Sequence, residues 1–250
     1  MAKQRSIIKL EGTIGDITFL KTADGYLAKE KSQVSKDRIS TDPAFIRTRE
    51  NNSEFGRAGK AGKTLRNALR VVMQYAQDGR VTGRLVKVLM QVIKADAVNA
   101  RGLRTVTQGN PSLLRGFEFN GNARLDACLY ASYTASIDRP TGAATVMVPS
   151  FIPAQNVVAP EGTTHFKLVS AAAAISFDEE TFVTAEASSG VMPWNNQAVS
   201  VILNNELPAA GTDPILLAFG IQFFQQVNGI DYPLKNGAFN ALSIVAVNAA

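Results

Sequence analysis

From residue 126 to the C-terminus, Pro, Gly, Asn and Asp cut the chain into short apolar runs, and this punctuation constrains the fold more than any other feature. The runs are Ala127 to Ile137, Ala143 to Val148, His165 to Val169, Ala173 to Phe177, Phe182 to Ala187, Ala198 to Leu203, Ile215 to Phe224 and Leu242 to Val247. Short strands with turn formers at such spacing pack as an antiparallel sandwich or barrel. Pro149, Pro153, Pro160, Pro193, Pro208, Pro214 and Pro233 sit between the runs. There a missing N–H costs no ladder hydrogen bond. Residues 123–250 are therefore expected to form an antiparallel β-sandwich domain, Ig-like or jelly-roll-like.

The N-terminal half has a different texture. Ile7, Ile8 and Leu10 form one apolar patch, and Glu11-Gly12 and Gly15-Asp16 bracket a turn. Ile17, Phe19 and Leu20 follow, and Thr22-Ala23-Asp24-Gly25 closes a hairpin before Tyr26-Leu27-Ala28. Asp-Gly between apolar runs signals a hairpin. Such a stretch holds three strands at most and needs a partner surface for stability. Residues 32–41 read as a polar loop. A helix start is expected at Ser40-Thr41-Asp42-Pro43, with Thr41 or Asp42 as cap and Pro43 in the first turn. Phe55, Ala58, Gly59, Gly62, Leu65, Leu69, Val72, Met73 and Ala76 recur at helical spacing up to Gln77, and Asp78-Gly79 stops the helix. A second helix is expected from Val81 to Val98, with Leu85, Val88, Leu89, Val92 and Ile93 on one side. The fold class is thus α+β: an N-terminal β-hairpin and a helical hairpin in residues 1–122, then the sandwich. Residues 99–125 read as a connector, with the domain boundary near Asn120 to Asn122.

Charge divides the chain at the same place. Residues 1–125 hold 23 Lys and Arg against 11 Asp and Glu, a net of +12; residues 126–250 hold 3 against 10, a net of −7. Such asymmetry bears on association and partners rather than on fold. No apolar run reaches the roughly 18 residues that a membrane span needs. The N-terminus is basic but lacks an apolar core of the secretory kind, so the expectation is synthesis in the cytoplasm, with any extracellular role reached by lysis or another route.

Several kinds of chemistry are disfavoured. Gly62-Lys63-Thr64 resembles the end of a phosphate-binding P-loop, but that motif needs a glycine at position 57, where Arg57 stands, and a preceding strand. The small residues Ala58, Gly59 and Gly62 instead share a face with Phe55 and Leu65, which fits close helix packing inside the chain or against a neighbouring subunit. With one cysteine, Cys128, and one histidine, His165, no zinc site of the usual kind can be assembled in one chain. Cys128 reads as a small buried hydrophobe. Asp178-Glu179-Glu180 reads as a solvated turn and Trp194 as a loop anchor, with stacking on a sugar as the alternative. No cofactor and no catalytic residue are expected.

Lys9-Leu10-Glu11-Gly12-Thr13-Ile14-Gly15-Asp16-Ile17-Thr18-Phe19, Asp42-Pro43-Ala44-Phe45, Arg47-Thr48-Arg49-Glu50-Asn51 and Glu54-Phe55-Gly56-Arg57-Ala58-Gly59-Lys60 together resemble uncharacterised bacterial proteins. The likeness covers roughly the first 70 residues and implies no activity.

The expectation is a non-catalytic structural protein that polymerises with itself through complementary basic and acidic halves, as part of a virion, tail-like particle or fibre. The alternative is nucleic-acid binding by the basic helical face. Arg49, Arg57, Lys60, Lys63 and Arg70 are the contact candidates for either. A carbohydrate- or ligand-binding β-sandwich is the third reading.

Overall fold

The computed structural model describes every residue except Ser6, Ala23, Ser32, Gln33, Lys235, Asn236 and Ala250. Ala23 in the expected hairpin turn, Ser32 and Gln33 in the expected loop and Ala250 at the tail thus lie outside the described residues. The chain forms two compact units, Met1–Glu50 and Asn51–Ala250.

In the first unit, β1 (Ala2–Lys3), β2 (Gly12–Ile14), β3 (Ile17–Thr22) and β4 (Gly25–Glu30) make an antiparallel sheet in the order β1-β4-β3-β2. This is one strand more than expected, and Ile7, Ile8 and Leu10 lie outside the strands. Gly15, at φ 57°, turns the chain between β2 and β3, a conformation that favours glycine. Helix α1 (Lys36–Thr41) is capped by Ser35, whose side chain accepts the N–H of Arg38. Asp42 then caps a 3-10 turn that begins with Pro43, and α2 (Ile46–Ala68) follows. The single helix expected from 40 to 77 is therefore broken. Capping by Asp42 is real, but the helical start beside it belongs to two separate elements. The unit division falls inside α2.

In the second unit, Leu69 leaves helical geometry, so α3 (Arg70–Met73) is a separate turn. Helix α4 (Val81–Lys94) completes the helical hairpin. It stops short of the expected Val98 because the Asp96 carboxylate accepts the N–H groups of Val98, Asn99 and Thr105 and organises a loop instead. Burial alone would push the Asp96 carboxyl up; the hydrogen bonds from Asn99, Thr105 and Val98 outweigh it and hold it below the usual carboxylate range.

Next come α5 (Leu125–Cys128), β5 (Thr134–Asp138), β6 (Ala143–Phe151), α6 (Pro153–Asn156) and β7 (His165–Ser176). The chain ends with β8 (Thr181–Ser188), β9 (Met192–Pro193), β10 (Val199–Glu206), β11 (Ile215–Val227), β12 (Ile230–Pro233) and β13 (Ala241–Asn248). Every pairing is antiparallel. One sheet runs β10-β6-β5; the larger has β11 and β7 at its centre, with β8 and β9 beside β7, and β12 and β13 beside β11. Pro149 lies inside β6 rather than between strands, at the register shift opposite Val199 and Val201, where the ladder is already interrupted.

The larger sheet is covered on both faces. Val169, Ala171, Ala173, Leu216, Ala218, Leu242 and Ile244 share a core with the helical hairpin. Phe166, Leu168, Leu217, Phe219, Ile221 and Phe223 point the other way and meet Ala144, Val146, Val148, Val201 and Leu203 of the smaller sheet. The unit is α+β, with helices on one side of a sandwich-like pair of sheets. A strand buried on both faces loses its apolar–polar alternation. That is why the two strands expected at 165–169 and 173–177 are one continuous strand, β7. The run expected at Ala127 to Ile137 divides into α5 and β5.

The boundary expected near residue 122 does not divide compact units, because 51–122 and 123–250 share this core. The expected connector is annexed to the sheet. Gly116 N–H donates to Ile244 O at 2.7 Å, Ile244 N–H to Phe117 O at 3.0 Å and Phe119 N–H to Leu242 O at 2.8 Å.

Candidate functional site

The basic residues singled out above differ in their partners. Arg49, in the first unit, donates from Nη1 to Ile39 O and Asp42 O at 2.8 and 2.9 Å, and so ties α1 to the turn after it. Arg57 donates from Nη1 to Gly102 O and Arg104 O at 2.6 and 3.2 Å. Beside it the buried Glu54 carboxylate accepts Gly102 N–H at 2.8 Å and pairs with Arg104 Nε at 3.1 Å. Lys60 Nζ lies 3.2 Å from Glu180 Oε1, in the exposed acidic turn between β7 and β8. Arg57 and Lys60 thus meet on one cleft of about 220 Å3, shared with Thr105 and Asp178. Lys63 and Arg70 stay exposed. Arg66 lines a shallow depression with Asn67, Arg70, Gln74 and Gln77 and no carboxylate.

The residues of the expected close-packing face differ in burial. Ala58, Gly62 and Leu65 are buried. A Cβ on Gly62 would lie 3.3 Å from Leu89 Cδ1 and 3.7 Å from Leu85 Cδ2, so this glycine lets α2 and α4 approach within the chain. Phe55 and Gly59 do not belong to it. Phe55 is 58% exposed, and a Cβ on Gly59 would meet nothing within 4 Å.

The other residues with chemical potential have structural partners. Trp194 is half-buried against the sandwich core and donates from Nε1 to Val157 O at 3.2 Å. His165 opens β7 and its Nδ1 lies 2.9 Å from Thr164 Oγ1. Burial, then the charges of Glu118 and Asp126, push the Cys128 thiol up to about 11, so it is a poor nucleophile. Among the described residues no three His, Cys, Asp or Glu side chains are grouped to hold a metal ion.

Glu118 was hidden in the expected connector; its only sequence signal is an acid between two phenylalanines. It faces a cavity of about 400 Å3 with Arg124, Asp126, Tyr133 and Ser243. Burial pushes its carboxyl up to about 7, against the hydrogen bonds from Leu125 N–H and the Ser243 hydroxyl.

The first unit has the least usual surface. None of its described residues is buried. Directly paired residues share a face of a sheet, and the pairs Ile14↔Ile17, Gly12↔Phe19, Phe19↔Ala28 and Ala28↔Ala2 therefore place Ile14, Ile17, Phe19, Ala28 and Ala2 on one side, where the pairs Ile17↔Glu30 and Lys21↔Tyr26 also put Glu30, Lys21 and Tyr26. Ile14 and Ile17 are 64% and 48% exposed. The opposite side carries Thr13, Thr18 and Lys29 with Leu20 and Leu27. No helix of the described chain is long and apolar enough to cross a membrane.

Compared with protein-family models, with curated proteins and with solved structures, the chain matches none.

Proposed function

We propose that this is a non-catalytic structural protein that assembles with copies of itself, and that the N-terminal sheet is the element that docks. The observation that carries this reading is a folded 50-residue unit in which no described residue is buried, with Ile14, Ile17 and Phe19 adjoining on one face of its sheet beside Glu30 and Lys21. Sheets of a few short strands reach independent stability only when a hydrophobic face is covered, and units near this size draw on partners or cross-links. The cover proposed is a second copy. Docking of a terminal unit onto a different surface of the next copy is heterologous, and it closes into rings or extends into filaments. The contrast between +12 in residues 1–125 and −7 in residues 126–250 supports orientation of one copy on the next.

Negative-stain electron microscopy and light scattering on nuclease-treated protein, at low and high salt, test the proposal. Filaments, tubes or rings free of nucleic acid are the expected result. A monomer of 26.8 kDa at every salt and concentration overturns it. A second reading, nucleic-acid binding, is favoured by the carboxylate-free row of Arg66, Asn67, Arg70, Gln74 and Gln77. It requires affinity for DNA or RNA that falls steeply with salt.

A further inference from the structure

Between Glu54 and Asp78 the chain has no carboxylate side chain, but it has Arg57, Lys60, Lys63, Arg66 and Arg70. Both bounding acids are taken, Glu54 by Arg104 and Asp78 by Arg84. The fold then divides the cations. Arg57 donates to the carbonyls of Gly102 and Arg104, and Lys60 pairs with Glu180. Lys63, Arg66 and Arg70 have no ion pair among the described residues. Lys63 and Arg70 are exposed. Arg66 is half-buried and its Nη1 has no hydrogen-bond partner, so its charge is uncompensated within the described chain.

These cations share one side of the helix. Lys63, Asn67, Arg70 and Gln74 stand at i, i+4, i+7 and i+11, and Arg66 stands one turn before Arg70. The break at Leu69 leaves this spacing in place. Leu69 N–H donates to Leu65 O at 3.1 Å and Met73 N–H to Leu69 O at 3.0 Å, so the i to i−4 ladder crosses from α2 into α3. From Lys63 to Arg70 the axis rises about 10 Å. The depression lined by Arg66, Asn67, Arg70, Gln74 and Gln77 holds about 500 Å3. Guanidinium, ammonium and amide groups donate to phosphate oxygens. Glu186 borders Val71 and Gln74 in the adjoining groove, which places the contact at the Lys63 to Arg70 end.

The lining selects the partner. It contains no aromatic side chain. Single strands are held largely by stacking on aromatic rings, so their recognition lacks its main element here. Val71, 54% exposed, is the only large exposed apolar residue in the lining, which is too little to enter a bilayer.

We propose that the exposed face of α2 and α3 holds the phosphate backbone of a nucleic-acid duplex through Lys63, Arg66 and Arg70, without reading bases. This rests on the nucleic-acid reading and gives it a form: a duplex rather than a single strand, and three phosphates. It does not depend on assembly.

Fluorescence anisotropy of a labelled DNA duplex of about 20 base pairs, titrated with the full chain between about 30 and 200 mM salt, is the experiment. The logarithm of the affinity is expected to fall with the logarithm of salt at a slope of about −2.7, or about 0.9 for each of three phosphates. Lys63→Gln, Arg66→Gln and Arg70→Gln are each expected to flatten the slope by about 0.9. Arg49→Gln, whose guanidinium is held by backbone carbonyls, is expected to leave it unchanged. Should Arg66→Gln unfold in a thermal melt, the Lys63 and Arg70 variants carry the test. The single strand of the same sequence is expected to bind more weakly. A single strand bound as tightly as the duplex overturns this inference and leaves the nucleic-acid reading standing. No binding of either strand form at about 0.1 mM protein in the lowest salt overturns both. Slopes unchanged in Lys63→Gln and Arg70→Gln, or capture of phosphatidylglycerol vesicles in place of the duplex, also overturn it.

Discussion

Gly62 of α2 and Leu89 of α4 are in contact so close that a Cβ on Gly62 would sit 3.3 Å from Leu89 Cδ1. Gly59, one turn earlier, faces open space. The two glycines therefore respond to substitution with opposite sign. Gly59→Ala removes the backbone-entropy cost of a mid-helix glycine and is expected to stabilise the second unit by about 0.5–1 kcal/mol. Gly62→Leu forces the helices apart and is expected to cost about 1–3 kcal/mol. Urea unfolding followed by circular dichroism measures both. Equal effects would mean that α4 does not rest on this face.

Asn205 of β10 joins the two sheets. It is 1% exposed, and its Nδ2 donates to Ala144 O at 3.0 Å and to Ser170 Oγ, on β7 of the facing sheet, at 2.9 Å. Asn205→Leu leaves the Ala144 carbonyl and the Ser170 hydroxyl without that donor inside the sandwich. A loss of about 2 kcal/mol is expected. The paired variant Asn205→Leu with Ser170→Ala is expected to recover part of it. Urea midpoints for both variants decide; an unchanged Asn205→Leu would mean that water replaces the amide.

This network also shows where the sequence stops being legible. Asn205 in β10 looks like one more polar strand residue, because its partner on β7 lies 35 positions away in the chain. The helical hairpin could be read because Leu65, Leu69, Leu85 and Leu89 repeat locally at 3.6 residues. The sandwich could be read because its turns carry their own residues. Long β7 could not, since Leu168 to Ala173 is buried on both faces and shows no alternation. The candidate site was less legible than the fold. Arg49 and Arg57 look free as a sequence, yet backbone carbonyls 7 to 47 residues away claim them. Ile14, Ile17 and Phe19 signal strands, but a strand pattern does not reveal that nothing buries them. Gln222 of β11, buried with its Oε1 unpartnered, gives no local sign, because that is a property of the packed sheet.

Glu118 makes the second unit sensitive to pH. Burial raises its folded-state carboxyl from 4.5 to about 7, so the folded chain holds a proton that the unfolded chain releases. The resulting stability is fully present below about pH 4.5 and is lost as pH rises through about 7. Between pH 5 and pH 8 the loss attributable to this group, reduced by solvent screening of the half-buried carboxyl, is expected to be about 1–2 kcal/mol. Glu118→Gln keeps the shape and removes the titration. Its urea midpoint is expected to change less over that interval, and to exceed that of the parent at pH 8. Parallel pH curves for the two proteins would show that the carboxyl is solvated when folded.

The exposed apolar residues of the N-terminal sheet can be altered by substitutions that leave every residue of the second unit unchanged. Ile17 is 48% exposed on β3, and Phe19 lies two residues on, on the same face. If a neighbouring copy covers this face, a carboxylate placed there, with Glu30 and no cation directly across from Ile17, must be desolvated without a partner, which is costly. Ile17→Asp combined with Phe19→Ser is therefore expected to abolish large particles in light scattering at low salt. The main thermal transition, set by the helices and the sandwich, is expected to stay in place. Leu20→Ser, on the opposite face, serves as the control. It perturbs the same sheet to a similar degree, so particles that survive Leu20→Ser but not the paired change locate the contact on the Ile17 face. Particles that survive both would move the contact to the helices, where Lys63→Glu and Arg70→Glu are the changes to make next.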